Sequence, residues 1–548
     1  MASMQAETKP NVVVIYVDDM GIGDIGCYGG KFVPTPNIDK IAQDGLLFNQ
    51  YYSSAPVSSP SRCGLTTGKF PIEVGINTFL NNKASNKKCE QRNFLSDKNP
   101  SMARAFQSAG YATGHIGKWH MGGGRDVHNA PSIKNYGFDE YISTYESPDP
   151  DPAITATNWI WSAKDSVKRW RRTEYFVNKS IDFVKRHKDQ PFFLNLWPDD
   201  MHTPWVPEFK QKDNKSWNTE EAFIPVLAEM DKQIGRFIKA LDELGLSENT
   251  IVIFTSDNGP APSFQSVRAA YLRGTKNSLY EGGIRMPFLI KYPKKIKAGQ
   301  VNNESVLCAV DLYPSLCAIA GIETEKGYQG DGQNYDKVLL GKSKAKRKTD
   351  LMWDFGRNQF FKKPGNANDR SPHLAIRSGN WKLLINSDGS DAQLYDIEKD
   401  KFEKNDVAQS HPEVVAKLSK KVCKWFAENK DKYQSTLDDE RKLFYVAVTR
   451  AKQNLYMSYA SATQPVSCFV QEAAQSPYLQ INDRDLTCNP KASADSDKAE
   501  PAQYARSQLQ DYYTEACRIL PEADADLKRI EGLSPDEMIA EAERNSLL

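Results

Sequence analysis

Histidine is scarce in this chain, with seven in 548 residues. A centre built from several histidine ligands, as a pair of zinc ions requires, has little to draw on. The nine cysteines are scattered and form no CxxC pair, which speaks against both a disulfide framework and a thiolate zinc site. Neither sign of charge is in excess: 71 basic and 70 acidic residues leave a net +1. No overall field therefore draws the chain to nucleic acid or membrane, and an anionic ligand must be met by a local cluster of cations. No apolar run approaches the length of a membrane span. The first ten residues, Met1 to Pro10, contain no apolar h-region, so no export signal is expected there. The phosphate-binding pattern G-x-x-x-x-G-K-[ST] is missing, since Gly341-Lys342-Ser343 has no glycine at the required upstream position.

What is present is a chain long enough for a large core and more than one domain. Val12 to Val17 is an unbroken, mostly β-branched run, as in a strand buried on both faces. It ends in Asp18-Asp19, and open α/β sheets place ligands at such strand ends. A second buried strand, Thr250 to Phe254, leads into Asp257-Asn258-Gly259. Adjacent acids can also cap a loop. Taken together, Asp18, Asp19, Asp257 and Asn258 offer an all-oxygen set suited to a hard cation such as Ca²⁺ or Mg²⁺.

Residues 58–69 read Ser-Ser-Pro-Ser-Arg-Cys-Gly-Leu-Thr-Thr-Gly-Lys. Pro60 can open a helix and Gly68 can close it. Ser58 then lies just ahead of a helix N-terminus, where N–H groups and the macrodipole favour negative charge. Arg62, one turn in, can offer its donors to the same place. A capped surface helix satisfies these residues equally well. Further on, Gly117-Lys118-Trp119-His120-Met121-Gly122, if extended, turns Lys118 and His120 to one face. Residues 150–172 are rich in Pro, Trp (159, 161, 170) and Arg, and read as an insertion on the substrate side or as core packing. Thr173 to Arg186 and Phe223 to Leu244 are amphipathic helices, and Pro191 to Trp197 is an apolar strand between them. That strand delivers Asp199-Asp200-Met201-His202-Thr203-Pro204. Arg273-Gly274-Thr275-Lys276 precedes a Gly282-Gly283 turn.

The stretch from Ser58 resembles the maturation motif of type I sulfatases: Cys or Ser, any residue, Pro, Ser, Arg, then a Leu-Thr-Gly type of ending. The resemblance extends over residues 9–433. It implies an α/β, alkaline phosphatase-like fold with a large mixed central sheet flanked by helices and a smaller antiparallel C-terminal subdomain. It also implies that Ser58 is oxidised by a maturase to formylglycine, whose hydrated aldehyde attacks sulfur. The metal ligands carried over are Asp18, Asp19, Ser58, Asp257 and Asn258, around Ca²⁺ or Mg²⁺. The catalytic residues carried over are Ser58, Arg62, Lys118, His120, His202 and Lys276. In this scheme His202 with Lys276 protonates the leaving alcohol, and His120 takes the proton that lets sulfate depart. The expected substrate is a sulfate monoester on a carbohydrate, and the expected compartment is periplasmic or extracellular.

The basic run Lys342 to Lys348 reads as an exposed linker between a catalytic domain (1–345) and a C-terminal subdomain (346–433). In the latter, Leu374 to Arg377, Trp381 to Ile385 and Gln393 to Tyr395 are short strands before a covering helix from Pro412 to about Glu428. The remaining tail (434–548) does not fit the pattern. Its Leu437 to Tyr459 segment resembles the sixth motif of superfamily 1 DNA helicases, with Arg450 as the arginine that meets ATP. Without a phosphate loop that motif is orphaned, and no nucleic-acid partner is expected. Two other readings of the main body stay open: a phosphomonoesterase or phosphodiesterase using unmodified Ser58, and a non-catalytic binder of sulfated glycans.

Overall fold

The computed structural model describes residues 8–154, 162, 164–208 and 218–432. The chain divides into two compact units, 1–433 and 434–548. The second unit, with the helicase-like segment and Arg450, lies outside the described residues, as do Trp159 and Trp161.

Among the described residues, nine strands form the main sheet: β1 (Asn11–Val17), β2 (Leu46–Tyr52), β3 (Ala112–Gly117), β4 (Glu140–Ser143), β5 (Phe192–Trp197), β6 (Thr250–Ser256), β7 (Arg285–Lys291), β8 (Gln300–Asn302) and β9 (Leu307–Cys308). Their order is β4-β3-β5-β1-β6-β7-β2-β8, with β9 also pairing with β2. β4, β3, β5, β1 and β6 run parallel, and β7 is antiparallel to both of its neighbours. The expected mixed sheet is therefore present.

β1 lies near the middle, and its side chains show why it is apolar throughout. Val12, Val14 and Tyr16 pack on one face with Cys63, Leu65 and Phe106. Val13, Ile15 and Val17 pack on the other with Ile38, Val177 and Ile234. Helices thus cover both faces, and a strand between two such layers has no side free for polar residues.

The smaller sheet contains β10 (Leu351–Asp354), β11 (Leu374–Ser378), β12 (Trp381–Ile385) and β13 (Gln393–Asp396), all antiparallel. β10 was not expected, because four residues beside a charged run carry little periodicity. The helix Pro412–Asn429 covers this sheet through Leu418, Val422 and Phe426. The same core includes Tyr52, Leu279 and Tyr280, so the small sheet docks directly on the large one. The linker expectation needs one correction. Arg347 turns inward and pairs with Asp311 at 2.5 Å, because Asp311 is almost wholly buried and needs a cation.

Candidate active site

β1 and β6 are parallel neighbours in the register Val17↔Ser256. The residues that follow them must therefore emerge side by side. Asp257 N donates to Val17 O at 3.1 Å, and Asp19 N donates to Asp257 Oδ1 at 3.0 Å. Asp18, Asp19 and Asp257 converge, with one oxygen of each within 4.8 Å of the others, and all three are buried. Asn258 Nδ2 donates to Asp19 Oδ1 at 2.7 Å, leaving Asn258 Oδ1 directed toward the Ser58 hydroxyl.

The helix Ser58–Thr67 points its N-terminus at this cluster. It begins two residues earlier than the sequence suggests, with Val57 as the extended residue ahead of it. Pro60 is tolerated in the first turn because its missing N–H would have no helical partner there. Gly68, at φ 67°, ends the helix as expected. Ser58 Oγ donates to Asp18 Oδ1 at 2.9 Å and lies 3.3 Å from Asn258 Oδ1 and 3.5 Å from Lys118 Nζ. Ser61, on the same helix, donates its hydroxyl to the Asp257 carbonyl and accepts from the Tyr16 hydroxyl at 3.2 Å.

Three cations balance the three carboxylates. Arg62 donates to Asp257 Oδ2 at 2.7 Å, Asp18 Oδ1 at 3.3 Å and the Lys118 carbonyl at 3.0 Å. Lys118 Nζ reaches Asp18 Oδ2 at 2.8 Å, and Lys276 Nζ reaches Asp19 Oδ2 at 2.7 Å. Burial pushes Asp18 up, but Lys118, His202 and Arg62 together hold it well below the usual carboxylate range. Asp19 is likewise lowered, with burial opposed chiefly by Lys276. Asp257 goes the other way, to about 7, through burial and the charge of Asp18. Even with these three cations, Asp257 is disfavoured as an anion beside Asp18. A divalent cation fits this crowded, all-oxygen donor set, and a soft metal does not.

Two histidines flank the cluster. His202 follows β5, and its Nε2 lies 3.8 Å from Asp19 Oδ2 while Nδ1 meets the Thr203 carbonyl at 2.6 Å. That contact requires the proton on Nδ1, since a carbonyl only accepts. Burial, then the neighbouring Lys276 charge, lowers His202 to about 4. The loop is braced from below: Arg169 bonds Asp199 Oδ2 at 2.7 Å and Arg172 bonds the same oxygen at 2.9 Å.

His120 departs from the extended run expected of it. β3 stops at Gly117, and His120 has φ 52°. It still enters the cleft, because its Nε2 meets Glu146 Oε2 at 2.9 Å and the Leu80 carbonyl at 3.2 Å. Arg125 holds the other Glu146 oxygen at 2.9 Å. Gly122-Gly123-Gly124 makes this possible. A Cβ on Gly123, at φ 93°, would sit 2.3 Å from the Ser147–Pro148 backbone, so only glycine lets the two loops lie together. Glu146 and Arg125 were not anticipated, and the glycine run is the one sequence feature that points to them. Burial lowers His120, with Glu146 opposing; burial also pushes Glu146 up, but His120, Lys118 and Arg125 together outweigh it and take Glu146 down to about 2.

The sequence-derived residues Asp18, Asp19, Ser58, Arg62, Lys118, His120, His202, Asp257, Asn258 and Lys276 are thus gathered in one place. A cleft of about 540 Å³ opens over Ser58, Asp19, His120, His202 and Lys276. Trp170 is not part of it and lines a separate surface cavity with Arg171 and Pro207.

The family described as Sulfatase matches residues 10–322, and the C-terminal region of N-sulphoglucosamine sulphohydrolase matches residues 274–428. The chain is similar to N-acetylgalactosamine-6-O-sulfatase of Bacteroides thetaiotaomicron, at 30% identity over 505 residues, covering 76% of this chain and 93% of the relative. It is also similar to human arylsulfatase A, at 29% identity, covering 71% and 77%. Among solved structures, one from work on the metabolism of multiple glycosaminoglycans by Bacteroides thetaiotaomicron aligns with TM-score 0.62 and 28% identity, covering 76% of this chain and 98% of that one. Another, Ps i-CgsB in complex with k-i-k-neocarrahexaose, aligns with TM-score 0.62 and 26% identity, covering 78% and 94%. The UvrD-like helicase C-terminal domain matches residues 411–462. The start of that match, however, falls in the helix Pro412–Asn429, which belongs to the core of the small sheet.

Proposed function

The chain belongs to the sulfatase family, and on that premise we propose that it hydrolyses sulfate monoesters on carbohydrates at Ser58. The observation that carries this reading is the position of the Ser58 hydroxyl, 2.9 Å from Asp18 Oδ1 at a helix N-terminus. Oxidised to formylglycine, residue 58 would supply a hydrated aldehyde as nucleophile. Asp18, Asp19, Asp257, Asn258 and residue 58 would hold Ca²⁺ or Mg²⁺, which supplies Lewis-acid polarisation of the sulfate oxygens.

The chain's own residues do the remainder. Lys118 and Lys276 carry positive charge to the transferring group, in a buried setting where fixed charges act strongly. Arg62, fixed by three acceptors, neutralises the carboxylates beneath residue 58 and keeps the helix in register with β1 and β6. Lys276 retains its proton, because Asp19 and Asp18 outweigh burial, which acts first to lower it. With His202, which the charge of an arriving sulfate would help to protonate, it forms the donor pair for the departing alcohol. His120, held by Glu146, is the base that accepts a proton when sulfate leaves.

A maturase is the partner this scheme needs, and a periplasmic or extracellular setting suits a glycan substrate. No helix among the described residues is long and apolar enough to cross a membrane. We assign residues 1–345 to catalysis, 346–433 to the subdomain and 434–548 to an accessory tail. Peptide mass spectrometry of protein made with an anaerobic maturase should show loss of two hydrogens at Ser58, with sulfatase activity rising in proportion. Full turnover by wholly unmodified Ser58 would overturn the scheme in favour of a serine-based esterase.

A further inference from the structure

The cleft over Ser58 is closed on one side by the segment Lys362-Lys363-Pro364-Gly365, which connects β10 to β11 in the small sheet. This connection is anchored at both ends. Phe361 is buried and packs edge-on against Phe355 at 5.5 Å, and the Pro364 carbonyl accepts from Arg370 Nε at 2.9 Å. Lys362 and Lys363 are held between these anchors, exposed, at the mouth of the cleft.

The carboxylates of the cleft are already engaged. Asp19 meets Lys276 at 2.7 Å, and Glu146 meets His120 and Arg125 at 2.9 Å each. Among the described residues, Lys362 and Lys363 make no ion pair. Two adjacent ammonium groups at the mouth of a cleft that receives one anion are placed to meet a second. At about 540 Å³ the cleft also exceeds what the sulfated group alone requires. Phe79 and Asn81 line the same space, an aromatic face and an amide of the kind that sugars contact.

Resting on the reading of Ser58 as the sulfatase centre, we propose that Lys362 and Lys363 form a subsite for a second acid group. The preferred substrate is then a polyanionic glycan, in which the sugar beside the one that loses sulfate carries a carboxylate or a further sulfate. The small sheet is part of the specificity machinery, because it alone contributes these two cations.

The test compares three probes: N-acetylgalactosamine 6-sulfate, a disaccharide extending it by a hexuronate, and a disaccharide extending it by a second sulfated sugar. Wild type should favour one or both disaccharides in kcat/KM, and the more favoured arm identifies carboxylate or sulfate. K362A/K363A should reduce that preference about tenfold, through KM rather than kcat, as two partly screened ion pairs would. K362E/K363E should reverse it, and added salt should erode it in wild type but not in the alanine variant. An unchanged ratio of disaccharide to monosaccharide in both variants would overturn the proposal. If protein oxidised at Ser58 turns over none of the probes, the catalytic reading is the one in question. Calorimetric binding of the same probes then decides the subsite: tenfold weaker disaccharide binding by K362A/K363A supports it, and equal binding overturns it.

Discussion

Glu146 Oε2 lies 2.9 Å from His120 Nε2, and both side chains are buried at the edge of the cleft that contains Ser58. A buried imidazole is ordinarily disfavoured as a cation, and here the carboxylate opposes that tendency. The pairing also fixes which nitrogen carries the proton, since Nε2 faces an acceptor. In the proposed scheme Glu146 therefore acts through His120, as a positioning residue.

Replacing Glu146 by alanine should therefore slow the step in which His120 acts more than substrate binding. We expect kcat to fall roughly 10–100-fold, near the lower end of what general base assistance supplies, with a smaller change in KM. Alcohol should appear ahead of sulfate in the first turnover. Without the carboxylate the His120 pKa falls further, so the acid limb of the kcat profile should move to lower pH. Glu146→Gln, which still offers an oxygen, should recover part of kcat but not the pH shift. Equal loss in KM alone would show that Glu146 contacts substrate instead.

His202→Ala should discriminate between leaving groups. A sugar alkoxide needs its proton as the bond breaks, whereas a nitrophenolate hardly does. The loss on a sugar sulfate should exceed the loss on an activated aryl sulfate by on the order of 10²-fold. Comparable losses on both would move the donor role to Lys276, which already holds its proton against Asp19 at 2.7 Å.

How much of this was legible in the sequence follows from how local each feature is. β1 and β6 could be read because strands buried on both faces must be apolar throughout, and each ends in its own acids. The Ser58 helix could be read because proline and glycine punctuate it, though its first residue could not, since Val57 closes the N-terminus through conformation alone. Glu146 was marked only indirectly, by the glycine run at 122–124 that lets its loop approach. It reaches His120 only through the close approach of two loops, and the contact spans 26 positions of chain without a period. Lys362 and Lys363 were silent, because an exposed lysine pair acquires meaning only when folding sets it over a cleft.

The metal can be tested by exchange. Active protein should contain about one Ca²⁺ or Mg²⁺ per chain, and chelation should abolish turnover reversibly. Asp257→Asn should weaken metal retention more than it disturbs folding, because Arg62 keeps Asp18 as a second partner at 3.3 Å. Elemental analysis after dialysis is the measurement. Stoichiometric zinc in active protein would contradict the oxygen-ligand argument.

The joint between the two sheets gives a stability prediction independent of catalysis. Lys382, wholly buried, lies 2.9 Å from both Glu281 and Glu403. Removing the ammonium strands two buried carboxylates, so Lys382→Ala should cost about 3–5 kcal/mol of unfolding free energy. The two acids differ in direction. Burial raises Glu403 to about 7, despite Lys382, whereas Lys382 and Arg285 outweigh burial to lower Glu281 to about 2. A carboxyl whose folded pKa is raised keeps its proton in the native state after the unfolded chain has released it. The Glu403 contribution is therefore complete below its ordinary value and is lost as pH rises toward 7. Glu403→Gln cannot ionise and lacks this slope. Its stability relative to wild type should improve between about pH 5 and about pH 8, as read by denaturant unfolding at the two values. A difference that does not change with pH would mean that Glu403 is ionised throughout and shares Lys382 equally with Glu281.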